Sequence, residues 1–259
     1  MKLQDKTILL TGASGGIGQA LASTLASRGA RLILTGRNYP ALDALRQQLP
    51  GQHDCVSADL CQASDRQRLL AHCRQSGGID MLINNAGCSH FSLFTQQSDA
   101  DIEAQLATNL LAPMQLSRLL LPLLAERPEA MIVNIGSTFG SIGHTGFAGY
   151  CAGKFGLRGF SEALRRELAD STIRVLYAAP RATDTAINSQ QLVALNRRLG
   201  NRMDSPSVVA AAVCRAIEKE RRQLFIGWPE KVFVRLNAIW PTLVDAALRK
   251  KLALIKRYA

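Results

Sequence analysis

Thr7-Ile8-Leu9-Leu10-Thr11-Gly12-Ala13-Ser14-Gly15-Gly16-Ile17-Gly18 is the stretch from which the rest of the chain can be read. Its first four residues are apolar or β-branched, the composition of a buried strand. After the glycines, Ile17, Leu21 and Leu25 recur at helical spacing. Strand, glycine turn and helix in that order form the context of a dinucleotide-binding loop. Glycine admits the tight turn and lets backbone N–H groups approach a pyrophosphate. The helix N-terminus then presents unpaired N–H groups and the positive end of its dipole to the phosphates. Gly12, Ser14, Gly15, Gly16, Ile17 and Gly18 are therefore candidate cofactor contacts.

The next strand reads Arg31-Leu32-Ile33-Leu34-Thr35 and runs into Gly36-Arg37-Asn38. An acid near this point would accept from the 2′-OH of an NAD ribose. The chain has glycine and then arginine there, and a guanidinium grips a 2′-phosphate bidentately. Arg37, with Asn38 beside it and a hydroxyl from Ser14, predicts NADP(H) over NAD.

Further along, Tyr150 lies thirteen positions after Ser137, and Lys154 four after Tyr150. On a helix, i and i+4 share a face, so the phenol and the ammonium can project to one place. An unperturbed phenol titrates near ~10, too high for efficient proton exchange at neutral pH. A lysine cation nearby favours phenolate and is expected to lower that value. A serine hydroxyl can hold a carbonyl oxygen as charge develops on it. Each residue alone is ordinary; the trio behind a dinucleotide loop points to proton transfer at a carbonyl.

These residues resemble the short-chain dehydrogenase/reductase family. The resemblance runs from Lys6 to about Gly227, through Thr11-Gly12-x-x-x-Gly16-x-Gly18, Asp59-Leu60, Asn84-Asn85-Ala86-Gly87, Asn109, Ser137, Tyr150-x-x-x-Lys154, and Pro180 with Thr185. It implies that Asp59 and Leu60 flank the adenine, and that Asn85, Ala86 and Gly87 support the adenosine ribose and central sheet. It implies a catalytic set of Asn109, Ser137, Tyr150 and Lys154, with Asn109 holding a water that links the lysine to solvent. Pro180, Thr183 and Thr185 would meet the nicotinamide end, and Tyr150 and Lys154 would also touch the cofactor. Family members commonly pair through the helices carrying Asn109 and Tyr150, which implies a homodimer or homotetramer. Two positions depart from the pattern. Arg181 replaces a glycine, a cation that could tighten the site or attract an acidic substrate, and Gly153 replaces a serine.

The chain has 259 residues, enough for one α/β domain. Apolar runs near 7–10, 31–35, 54–58, 79–83, 131–135, 173–178 and 223–226 alternate with helical patterns, as in a Rossmann-like, doubly wound parallel sheet with helices on both faces. Residues 1–227 form the expected catalytic domain. Six cysteines show no C-x-x-C or cysteine–histidine metal spacing and suit a reducing cytoplasm. Cys88 and Cys151 flank the expected site, and His90 and His144 fall in loops expected to border it. The first strand begins too early to leave room for a signal peptide. The formal net charge of +11 favours anionic partners, yet no nucleic-acid module is present.

Residues 228–259 are a basic amphipathic extension rather than an independent domain. Val232, Leu236, Ile239, Trp240, Leu243, Val244, Ala247 and Leu248 recur at helical spacing around a break at Pro241. Arg249-Lys250-Lys251 and Lys256-Arg257 cluster at its end. It lacks the ~20 uninterrupted apolar residues of a spanning helix. Two placements stay open: peripheral on the inner face of a membrane, or packed as a lid or dimer arm. The loop from Thr185 to Met203, with Ile187, Leu192, Val193, Leu195 and Leu199, is the expected substrate loop. The reading is an NADP(H)-dependent oxidoreductase reducing a ketone or aldehyde, or oxidising the matching alcohol, with an apolar or lipid-like substrate. The alternatives are a soluble 3-oxoacyl thioester reductase and a non-catalytic NADP-binding membrane scaffold.

Overall fold

The computed structural model describes residues 1–259. In chain order the elements are β1 (Thr7–Thr11), α1 (Gly16–Ala26), β2 (Arg31–Gly36), α2 (Tyr39–Gln48), β3 (Asp54–Ser57), α3 (Ala63–Gln75), β4 (Met81–Asn84), α4 (Asp99–Leu106), α5 (Ala112–Ala125), β5 (Ala130–Ile135), α6 (Ala148–Glu167), β6 (Ile173–Ala179), α7 (Gln190–Arg198), α8 (Pro206–Glu218), β7 (Gln223–Phe225), α9 (Glu230–Ile239), α10 (Pro241–Arg249) and α11 (Leu252–Lys256). The seven strands form one sheet in the order β3-β2-β1-β4-β5-β6-β7, and every pairing is parallel.

Period-2 alternation divides the core. Ile8, Leu10, Leu32 and Leu34 face a cluster filled by Leu21 and Leu25 of α1 and Val209 and Val213 of α8. Leu9 and Ile33 point the other way, against Leu69 of α3, Leu116 and Leu120 of α5 and Leu164 of α6. Both faces are covered, which is why the strands read as continuous apolar runs. The central strands also carry a polar tie: Asn84 Nδ2 donates to Asn134 Oδ1 (2.8 Å) and Ser117 Oγ (3.1 Å), and Asn134 Nδ2 donates to Ser161 Oγ (2.8 Å). These buried amide bonds tie β4 to β5 and to the helices on that face.

Connections leave β1 toward β2 on one side, and the chain later returns to β4 on the other. The strand order therefore reverses between β1 and β4, where open α/β sheets form a crevice at their C-terminal ends. Local signals set the helix starts around it. Asn38 Oδ1 accepts from Ala41 N–H (3.1 Å) ahead of α2, and Ser98 and Asp101 form a reciprocal capping box on α4. Between α4 and α5, Ala107–Leu111 widens into a π-helical turn that carries Asn109.

The extension folds back on the domain. Val234 of α9 and Val244 of α10 bury against Ile142, with Phe225, Leu236 and Leu248 around them. Asn237 Nδ2 donates to the Ser141 carbonyl (2.9 Å). The apolar residues that read as one face are split over two. The chain turns at Trp240–Pro241, so Val234 and Val244 point inward while Ile239, Trp240 and Leu243 point outward. No helix is long and apolar enough to cross a membrane.

Candidate active site

A cleft of about 1420 Å³ lies over the C-terminal ends of β1, β4 and β5. Its floor at one end is the glycine turn. Gly12 has φ +61, and a β-carbon there would sit 2.7 Å from Ala86 Cα, so only glycine lets the turn nest against the end of β4. Asn85 holds the contact: its Nδ2 donates to the carbonyls of Thr11 (3.0 Å) and Gly12 (3.1 Å). The Thr11 hydroxyl accepts from the N–H groups of Asn85 (2.9 Å) and Ala86 (3.0 Å) while donating to Ile83 O (3.2 Å).

Helix α1 opens into this cleft without an internal cap. Gly15 at its N-cap has no side chain to accept from the helix, and the first turn holds no acidic residue. The leading N–H groups, from Gly16 and Ile17 on, are left for an anion, as a pyrophosphate site requires. Ser14, Gly18, Arg37, Asp59, Leu60 and Gly87 line the same end. Arg37 is exposed at the rim, and Ser14 Oγ lies 3.5 Å from where a β-carbon on Gly36 would be. These residues fit a nicotinamide dinucleotide. Asn38 lies outside the cleft, its side chain taken up in capping α2.

At the other end Ser137, Tyr150 and Lys154 come together. Lys154 is buried, donates to Ile135 O (3.0 Å), and holds its Nζ 5.7 Å from the Tyr150 ring centroid. Burial draws the ammonium down to about 8. The expected drop of the Tyr150 phenol does not occur. Burial pushes it up to about 12, against the hydrogen bond to Ser137 that works the other way. Desolvation of the phenolate outweighs a cation that sits over the ring face rather than at the oxygen. The result is a phenol held protonated, the form of a proton donor.

Asn109 adjoins the lysine: a β-carbon on Gly87 would lie 2.9 Å from Asn109 Oδ1 and 3.6 Å from Lys154 Nζ. The amide is fixed by the Cys88 backbone, donating to its carbonyl (2.8 Å) and accepting from its N–H (3.2 Å). Pro180, Thr183 and Thr185 complete the wall, with Thr185 packed over Gly16. Phe139, His144 and Phe147 surround Tyr150 on the substrate side. The rings of Phe139 and His144 stack at 4.8 Å, and Phe147 lies 6.1 Å from Tyr150. Burial lowers the His144 pKa and favours the neutral ring. Ile187, Leu192, Leu195 and Leu199 face the cleft from the loop after β6, whereas Val193 does not. The extension closes the far side with Phe233, Val244 and Leu248.

Two further expectations change with the geometry, those for Arg181 and His90. Arg181 is not free to attract an acidic substrate. Its Nε and Nη2 bind both oxygens of Asp204 (3.0 and 2.7 Å), and its Nη1 reaches Trp228 O (3.1 Å) and Glu230 Oε2 (3.3 Å). It is a clasp joining the substrate loop to the extension. His90 lies away from the cleft beside Asp101 (3.4 Å). Burial raises the thiols of Cys88 and Cys151, which keeps both protonated rather than reactive.

Sequence reading missed Tyr177. It is fully buried, and its hydroxyl donates to Ser137 O (3.2 Å) and accepts from Ser137 N–H (3.5 Å). A β-carbon on Gly136 or Gly140 would collide with it at 2.3–2.4 Å, so two glycines make its seat. Within β6 it reads as an ordinary strand aromatic. The aromatics at 139 and 147 were open to notice, since both lie between Ser137 and Tyr150.

Residues 6–194 match the family model described as short chain dehydrogenase. The chain belongs to the short-chain dehydrogenase family. This short-chain dehydrogenase is 35% identical over 213 residues to the 3-oxoacyl-[acyl-carrier-protein] reductase of Bos taurus, covering 81% of this chain and 90% of that one. It is 30% identical over 240 residues to the 3-oxoacyl-[acyl-carrier-protein] reductase FabG of Vibrio cholerae, with coverage of 90% and 94%. The solved structure of a short-chain dehydrogenase from Streptomyces avermitilis superposes with a TM-score of 0.82 at 28% identity over 98% of both chains. As a short-chain dehydrogenase it is an oxidoreductase of the C=O/CH–OH pair.

Proposed function

We propose that the protein is an NADPH-dependent reductase of an apolar or acyl-chain ketone or aldehyde, with Tyr150 as the general acid. The observation that carries this reading is the convergence of Ser137, Tyr150 and Lys154 on one cleft with an uncapped helix N-terminus at its other end. A bound nicotinamide supplies the hydride. The Ser137 hydroxyl donates to the carbonyl oxygen as it gains charge. The Tyr150 phenol, held protonated, gives that oxygen its proton. Lys154, charged below about 8, stabilises the phenolate left behind and can return a proton to it. Asn109, pinned by Cys88 and beside Lys154, orients the solvent side of that relay.

Arg37 at the rim and the Ser14 hydroxyl near it supply the cation and the donor that a 2′-phosphate needs, and no carboxylate competes at Gly36-Arg37. The substrate end, walled by Phe147, Leu192, Leu195, Phe233 and Leu248, favours an apolar chain. A 3-oxoacyl thioester reductase remains the second reading, supported by the names of the bovine and Vibrio relatives. A non-catalytic scaffold is disfavoured by a complete proton-transfer set. Exposed Leu111, Met114 and Phe155, on the helices bearing Asn109 and Tyr150, support a homodimer or homotetramer. A cytoplasmic location with peripheral membrane contact through the basic extension is part of the proposal, supported by its exposed Ile239, Trp240 and Leu243.

NADPH oxidation across carbonyls graded from small ketones to long-chain aldehydes and 3-oxoacyl thioesters tests this reading, with Tyr150→Phe as the blank. Tyr150-dependent turnover that rises with chain length is expected. Turnover on no carbonyl, or turnover indifferent to Tyr150→Phe, overturns it.

A further inference from the structure

The second helical face of the extension is unused by the fold. Val234 and Val244 take the inner side against Ile142. Outside stand Ile239, 67% exposed, Trp240, 60%, and Leu243, 56%, with Val232 about two turns back along α9. Such residues adjoining at a helix corner are rare on a surface that meets only water. The chain has two tryptophans, and both are exposed in this segment.

Charge says what the face meets. Residues 228–259 hold Lys231, Arg235, Arg249, Lys250, Lys251, Lys256 and Arg257 against Glu230 and Asp245, and Glu230 is already paired with Arg181. A second copy laid on this face would set two such clusters against each other, at a repulsive cost. A surface of opposite charge gains from every one of them.

We propose that the α9–α10 corner docks on an anionic lipid surface, with Ile239, Trp240 and Leu243 inserted and the basic end of the chain resting on headgroups. No helix here can cross a bilayer, so the attachment is interfacial. The same helices wall the cleft through Phe233 and Leu248. Docking therefore brings the cleft to the lipid, and delivery of an apolar substrate, the one part that rests on the reductase reading, follows from it.

The test is co-sedimentation of the full-length protein with phosphatidylcholine vesicles, with and without phosphatidylglycerol. Binding to the mixed vesicles alone, weakening as salt rises, is expected. Ile239→Ser with Leu243→Ser should weaken it more than tenfold. Arg249→Glu with Lys250→Glu should also weaken it more than tenfold, at roughly fivefold per cation lost. None of these four residues lines the cleft, so NADPH binding should persist and report the fold. In a Trp228→Phe background, Trp240 emission should shift to the blue on vesicle addition. Equal pelleting with neutral vesicles, or variants that bind like wild type, overturns the proposal. So does loss of an oligomer in the Ile239/Leu243 variant without any vesicle binding, which would give the face to a second copy. Pelleting needs no turnover, so this result and the carbonyl panel fail independently.

Discussion

At the scale of single residues, the site balances burial against charge. Tyr150 is held near 12 and Lys154 near 8, both by desolvation. Carbonyl reduction should therefore be flat at neutral pH and fall as pH rises through about 8, where Lys154 loses the proton that supports the phenolate; a pH profile of kcat/KM checks this. Removing the proton donor by Tyr150→Phe should lower kcat by about 10²–10⁴ while NADPH binding, followed by fluorescence, persists. Tyr177→Phe removes only the hydroxyl that braces Ser137. Losing its bond to Ser137 O (3.2 Å) and the longer one from Ser137 N–H (3.5 Å) should lower kcat roughly fivefold with the KM for NADPH unchanged. Arg37→Asp should shift the NADPH:NADH ratio of kcat/KM by roughly 10–100-fold toward NADH. Tyr150, Lys154 and Arg37 were singled out from the sequence. Tyr177 was not, because nothing in a strand pattern reveals which backbone its hydroxyl will meet.

At the scale of elements, the informative contact is the one made by Arg181. It joins Asp204, ahead of α8, to Glu230 at the start of α9, largely out of solvent. Replacing it with methionine leaves two carboxylates facing each other without their cation. That should cost about 2 kcal/mol, read as a lower urea midpoint. The loosened extension should raise KM for long-chain carbonyls more than for small ones. Sequence marked Arg181 as an anomaly and left open whether it tightens the site or attracts an acidic substrate. The anomaly was real, but its partners lie 23 and 49 residues away and only folding brings them to it.

For the whole molecule, the buried Lys154 is a burden on stability. Its pKa is about 8 folded against 10.5 as the ordinary value, so the native state binds fewer protons between those limits. Stability from this group is thus lowest below pH 8 and recovers as pH rises toward 10.5. The shift corresponds to about 3 kcal/mol, less about 1 for the bond to Ile135 O that a variant would forfeit. Lys154→Met should therefore unfold at a higher temperature than wild type at pH 7 while being inactive. That advantage should shrink as pH approaches 10, and thermal melts across pH read it directly.

The sequence by itself determined the sheet, its glycine turn and the placing of Tyr150 and Lys154 on one helix face, since these rest on local alternation, backbone freedom and i, i+4 geometry, all carried within a few residues. Tertiary structure alone decided the protonation of Tyr150, the partners of Arg181, the brace from Tyr177 and the division of the extension into an inner and an outer face. Each of those depends on desolvation or on contacts between residues far apart in the chain, and neither burial nor long-range proximity is written in the local pattern.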